Sequence, residues 1–418
     1  MRKIFSTFLC ITSIISCSNN DGDVKVFSQI DDKGVVIATP YIWKTSLHQN
    51  GPVSNSFITY PIVYNDNVVV PTTNGKEPLG LSLICSVDGK TIWRWDDLFA
   101  DRDTYIDMPY HHQYNNLLTF KNRYCIDLDK GQTHWKLMRD RSFDVRLNSF
   151  GKYCFTYGPE KIDDEYGKRT YVAFKLDIQN GEISEFLTAN FTFEHPDCVR
   201  GVRDIAPIPG HSNLFLVAYS ENLPGWIIQS YFGLYDIELK EWVWDKILIT
   251  PPKVSNVIDH PIQIVNNKIY AVVDNCIVCH ELSTGKQLWR KEFTNDFLFS
   301  GFIIEEGRLI ANNEDLFAVC LDIETGRELW RVRTAGTSGK MSYLNGIVYF
   351  VGGSVPRLFA IEASTGKIVW QINPALLGEG YGARFRTNAV YVLPAKDKQP
   401  AKVIALSGLY AYCFEAYR

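Results

Sequence analysis

The chain has 418 residues, of which 46% are hydrophobic, 13% aromatic and 22% charged, with a formal net charge of −4. This is the composition of a globular protein with ample length to bury a core. No basic excess is present, so the charge balance argues against nucleic acid as a partner.

The first residues read as a targeting segment. Arg2-Lys3 give a short positive start, and Ile4 to Ile15 form an apolar run too short to span a bilayer as a mature helix. Ile14-Ile15-Ser16-Cys17 closes the run and resembles the bacterial lipobox, in which the Cys becomes the lipidated first residue after cleavage. The expected organisation is a signal peptide over 1–16, a polar tether over 17–33 carrying lipid on Cys17, and one folded domain over 34–418. An ordinary secretory signal with a chance Cys is the alternative. No second hydrophobic span follows, so the mature protein is expected to be held at the membrane by lipid alone.

Residues 61–95 show the unit from which the domain is built. Pro61-Ile62-Val63-Tyr64 predicts a strand, Asn65-Asp66 a tight turn, Val68-Val69-Val70 a second strand, Leu83-Ile84 a third and Ile92-Trp93 a fourth. The third and fourth strands recur as a hairpin, clearest in Cys320-Leu321-Asp322-Ile323-Glu324-Thr325-Gly326, which returns through Glu328-Leu329-Trp330. An acidic side chain can hydrogen-bond the turn, Gly supplies positive φ, and Trp is available for burial.

Copies of that hairpin run from Cys85 to Trp93, Asp127 to Trp135, Asp177 to Glu185, Asp236 to Trp244, Glu281 to Trp289, Asp322 to Trp330 and Glu362 to Trp370. Every copy takes eight residues from the acidic position to the Trp position, and the turns at 89, 131, 181, 240, 285, 326 and 366 recur at the length of one propeller blade. The expected fold is therefore all-β, an eight-bladed β-propeller of four-stranded blades, with seven blades as the alternative. Inserts at Gly158 to Arg169 and Ser220 to Gly225 read as surface loops, from their charged, Gly and Pro content. For the last blade, Ala389 to Val392 and Val403 to Leu406 supply strands. Its outer strand is either Leu409 to Phe414 or an N-terminal segment from Val35 through Trp43.

Several constellations bear on chemistry. Cys276-Ile277-Val278-Cys279-His280 matches the c-type haem attachment pattern, but it falls inside a strand that sends its two Cys to opposite faces. Cys125, Cys279 and Cys320 recur two residues before the acidic position and read as small buried hydrophobes. His111-His112 point apart in an extended segment, so a solvated loop is expected there and no metal. Arg203-Asp204, Asp259-His260, Lys340, Arg384 and Arg386 precede inner strands and form either a mouth for an anionic or peptide ligand or a solvated rim. No catalytic group is singled out by spacing.

The repeat resembles the tryptophan-docking motif of pyrroloquinoline-quinone-type propellers, Ala-x-Asp-x-x-Thr-Gly-x-x-x-Trp, which assigns Trp93, Trp135, Trp244, Trp289, Trp330 and Trp370 a structural docking role. With the signal and length, the chain resembles the BamB family, the scaffold lipoproteins of the outer-membrane β-barrel assembly machinery. The family's partner-binding loop reads approximately Ser-Asp-Val-Asp-Thr-Thr-Pro. Here Ser255-Asn256-Val257-Ile258-Asp259-His260-Pro261 keeps the length and the Ser, Val and Pro, while both Asp positions are changed, to Asn256 and Ile258. Val199-Arg200-Gly201 is similar to the family's Leu-Arg-Gly loop.

The resemblance implies a lipid-anchored, non-enzymatic scaffold that carries no cofactor. It would be attached to the outer membrane and face the periplasm, with the β-barrel assembly complex as its partner. Arg200, Ser255, Asn256 and Asp259 are the implied partner-binding residues. The alternatives are a quinoprotein dehydrogenase, whose vicinal Cys pair is missing here, and a glycan- or peptide-binding surface lipoprotein.

Overall fold

A computed structural model describes residues 26–47, 62–72, 80–97, 111–120, 123–137, 150–163, 168–187, 200–223, 227–251, 258, 260–297, 301–336, 340–387 and 390–417. Their strands form eight sheets arranged as the blades of a propeller. Blades one to seven cover 62–95, 111–136, 153–187, 200–248, 263–292, 302–333 and 342–372. The third shows three strands among the described residues, and the others four of their own.

Blade eight settles how the ring closes. Tyr391–Leu393, Lys402–Leu406 and Tyr410–Glu415 are its first three strands, and the outer one is Trp43–Ser46 from the N-terminus. Cys413 lies opposite Trp43 as Cys320 lies opposite Trp330, so the repeat is split between the two chain ends. Leu409 to Phe414 thus falls on the third strand, and the outer position falls to the N-terminal segment. Gln29–Ile30 and Val36–Ala38 add to blade seven instead, Val36 pairing with Trp370 in parallel.

Six tryptophans bond their blade to the next, while Trp370 packs on Tyr349, Phe414 and Tyr417. The indole N–H of Trp43, Trp93, Trp135, Trp244, Trp289 and Trp330 donates to the carbonyl of Ser86, Leu128, Ile178, Leu282, Ile323 and Ala363, at 2.7–3.2 Å. Each indole packs on the turn glycine of the following blade. A Cβ on Gly366 would lie 2.7 Å from Trp330, and Gly366 has φ +74°.

The interface between blades three and four departs from this pattern on both sides. Glu185 replaces the Trp, and Lys240, at φ +57°, replaces the Gly. With no indole to seat, the turn no longer needs a bare Cα. Phe155, Phe186 and Phe215 fill the interface with ring centroids 4.6–5.9 Å apart.

Neighbouring blades are also tied by side-chain to backbone bonds. Gln263 donates to the Phe302 carbonyl at 3.2 Å and Tyr391 to that of Val69 at 2.9 Å, and Ser342 donates to Val390. At the closing seam the Ser86 carbonyl accepts from both the Trp43 indole and the buried Lys402 ammonium, 2.8 Å away. Nothing in the sequence marked Lys402 for that role.

Three local expectations are corrected. Of the insert Ser220 to Gly225, the described part, Ser220 to Leu223, is strand: Leu214–Leu223 and Ile227–Asp236 pair up to Leu223 and Ile227. Likewise Tyr153–Asp163 and Lys168–Asp177 form a long hairpin where a loop over Gly158 to Arg169 was expected. Charged, Gly and Pro residues are compatible with exposed strand ends, so composition alone misread both. His111-His112 open the inner strand of blade two, where His112 Nε2 lies 2.6 Å from the Gly151 carbonyl.

Candidate docking face

One face of the ring carries the connections between blades, and it is uneven because blade four is tall. Its strands are Arg200–Pro207, Leu214–Leu223, Ile227–Asp236 and Glu241–Leu248, whereas those of blade five run for three to six residues. The neighbouring hairpin of blade three also outruns its outer strand, whose pairing stops at Ala173 and Leu187. Blades three and four therefore stand above the face as a wall.

Arg200 lies at the raised end of the inner strand of blade four, its backbone paired with Glu221, so it belongs to a strand and not to a free loop. Ser255, Asn256 and Asp259 lie outside the described residues, as do Cys17 and the lipobox. The residues that fix the C-terminal end of the 251–260 connection, where it enters blade five, are described. Ile258 is buried in the core shared by blades four and five, and His260 is buried with Nε2 2.8 Å from the Phe297 carbonyl.

The polar residues before the inner strands divide by role. Asp204 is buried, and its carboxylate accepts from the N–H of Ile205 at 2.9 Å and of Ile262, in blade five, at 2.8 Å. It staples the two blades and is not presented to a ligand. Arg203 donates to Ser220 Oγ at 3.2 Å, bracing the tall blade. Burial brings the Lys340 ammonium down to about 8, so it stays mainly charged at neutral pH and gives up its charge in mildly alkaline solution. Burial also lowers Arg386, while Arg384 is exposed. The set is therefore a partly engaged rim, with Asp204 and His260 committed to the fold.

The Cys-x-x-Cys-His segment lies within the strand Cys276–Glu281, its two Cys and His280 buried. His280 Nδ1 lies 2.8 Å from the Gly285 carbonyl, and burial lowers its imidazole. Cys125, Cys279, Cys320 and Cys413 are free buried thiols, raised by burial to about 11 or 12. Among the described residues, no group of three or more His, Cys, Asp or Glu could hold a metal ion. On the opposite face, a crevice of about 480 Å³ lies between blades four and five, lined by Ile208, His211, Leu234, Asn266 and Leu282 among others.

Residues 241–342 and 317–409 match the family model described as outer membrane protein assembly factor BamB. No curated protein matches the sequence. Among solved structures, BamB from Moraxella catarrhalis is similar at 13% identity and TM-score 0.52, covering 88% of this chain and 99% of that one. A quinohemoprotein alcohol dehydrogenase from Comamonas testosteroni is similar at 11% identity and TM-score 0.61, covering 91% and 77%. The computationally designed protein Ika8 is similar at 12% identity and TM-score 0.56, covering 89% and 99%. At these identities the structures speak for fold alone. In repeat and in fold, the chain is an eight-bladed propeller of the pyrroloquinoline-quinone-repeat type that resembles BamB.

Proposed function

We propose that this protein is a lipid-anchored, non-enzymatic docking scaffold of the cell envelope, facing the periplasm, with a role in outer-membrane protein assembly like that of BamB. The observation that carries the reading is the juxtaposition at blades four and five. Arg200 stands at the raised end of one inner strand, and the connection containing Ser255, Asn256 and Asp259 leads into the next, held at Ile258 and His260. Such an arrangement offers a partner a wall of strands beside a connection anchored where it enters blade five. The family match over 241–409 supports the same reading.

Arg200→Ala separates docking from folding. An Arg that anchors an interface contributes about 2 kcal/mol or more to binding. The expected result is unchanged denaturant stability with weakened capture of the assembly complex; lost stability, or unchanged capture, would remove Arg200 from the docking face. Membrane attachment is tested with Cys17→Ser, which should leave the membrane fraction.

Likeness to a quinohemoprotein dehydrogenase makes quinone chemistry the second reading. The residues present do not fit it. The chain has no adjacent Cys pair, no carboxylate-rich metal set occurs among the described residues, and Asp204 is committed to backbone N–H groups. Purified protein is expected to show no covalent haem band, and no alcohol or sugar oxidation after addition of pyrroloquinoline quinone and calcium. Either signal would promote the enzyme reading.

A further inference from the structure

The outer strands of the blades share a position just before the docking Trp, and its exposure exposes a difference at blade seven. Ile92, Val243, Leu288 and Leu329 occupy that position at 41–55% exposure, whereas Val369 of blade seven is 3% exposed. The N-terminal strands Val36–Ala38 and Gln29–Ile30 run beside blade seven. They in turn present apolar side chains to solvent, with Phe27 at 48% and Ile30 at 61% exposure. An outermost edge is usually guarded by charge. This one is apolar.

Strand direction shows where the chain leaves the fold. Gln29 pairs with Ala38, and the Ile37 carbonyl accepts from Asn373 N–H at 3.0 Å, so the segment before Gln29 emerges beside the connection from blade seven to blade eight. Val26 packs against the core shared by those blades. Cys17 lies nine residues earlier in the sequence, a reach of at most about 30 Å for extended chain.

We propose that Phe27 and Ile30 form a membrane-resting patch, through which the edge of blade seven lies against the lipid bilayer that holds the acyl chain on Cys17. The proposal rests on the lipid anchor of the preceding section. An acyl chain holds the protein at the surface, and a nearby apolar patch adds the second contact that fixes its orientation. Asp31, Asp32 and Lys33 leave the adjoining turn with a slight negative excess, so the contact rests on the apolar side chains and gains nothing from anionic lipid. Blade seven stands across the eight-membered ring from blade three. This orientation therefore holds the wall of blades three and four away from the membrane, toward a partner in the aqueous space.

The test uses the full chain after export and lipidation, reconstituted in phosphatidylethanolamine vesicles with and without phosphatidylglycerol. A fluorophore is placed on Ile30→Cys, and on Leu239→Cys as a control, Leu239 being 67% exposed on blade four. A nitroxide quencher carried by the lipid should quench the label at 30 several-fold more than that at 239, and no more strongly when phosphatidylglycerol is present. Adding Phe27→Asp should reduce the difference. Equal quenching at the two sites on a protein whose acyl group is confirmed by mass spectrometry overturns the patch and leaves the anchor standing. An unacylated Cys17 overturns the anchor and the patch together.

Discussion

At the scale of single residues, the Trp and the turn Gly act as a pair belonging to different blades. Trp330 donates to Ala363 at 2.9 Å and covers Gly366, so either partner can break the joint. Trp330→Ala should cost roughly 3 kcal/mol in a denaturant titration, as large-to-small changes in packed aromatics do. Gly366→Ala should also destabilise, because it adds a Cβ at 2.7 Å and places it at positive φ. Neutral results for both would mean the joint carries no load. The Trp and Gly positions were legible because they repeat; the loss of both at blades three and four shows why they repeat together.

Glu379 gives a second test at this scale. Burial raises its carboxyl, while Ser407, Tyr412 and Lys44 act in the opposite direction. A carboxyl whose folded value lies above the unfolded value contributes stability that is complete below the unfolded value, about 4.3, and is lost as pH rises through the folded value. Wild type should therefore lose stability relative to Glu379→Gln as pH rises from about 4, with the difference levelling off once the carboxyl is ionised. Parallel stability curves from denaturant midpoints at each pH would contradict it. Glu379 was not legible as a half-buried group, since Gly378-Glu379-Gly380-Tyr381-Gly382 reads as an ordinary long loop, flexible enough to adapt to a partner, and only the tertiary approach to Ser407 and Tyr412 covers it.

At the scale of elements, the regular hairpins were legible because the eight-residue step and the turn chemistry agree locally. The last blade was ambiguous for a physical reason: its hairpin is cut by the chain ends. Cys413-Phe414-Glu415 supplies the part before the turn, and Trp43 supplies the docking residue from the other end of the sequence. Closure of this kind makes Trp43 equivalent to the other docking tryptophans in spite of its position. Trp43→Ala should destabilise about as much as Trp330→Ala, because it removes an indole that is buried and bonded to Ser86 at 3.0 Å. A frayed terminus would instead lose almost nothing in the same titration. The tall strands of blades three and four were missed because exposed β-arms and loops share a composition, and only the pairing register tells them apart.

At the scale of the molecule, the propeller is a ring of nearly equivalent blades, and function must arise where equivalence is broken. It is broken in height at blades three and four and in edge covering at blade seven. The first break adjoins the connection into blade five, where resemblance alone pointed to Ser255, Asn256 and Asp259. The sequence could align those residues with a docking loop. It could not show that Asp204 and His260 beside them are spent on backbone bonds that hold the chain where it enters blade five.

Site-specific photo-crosslinking in cells tests the central claim of a docking face most directly. A photoreactive residue is placed at position 200 or 256, with position 239, on the opposite face, as the control. Crosslinks from 200 and 256, but not 239, to a periplasmic domain of the outer-membrane barrel-assembly complex are the predicted result; no crosslink to that complex from 200 or 256, or an equal yield from 239, would contradict it.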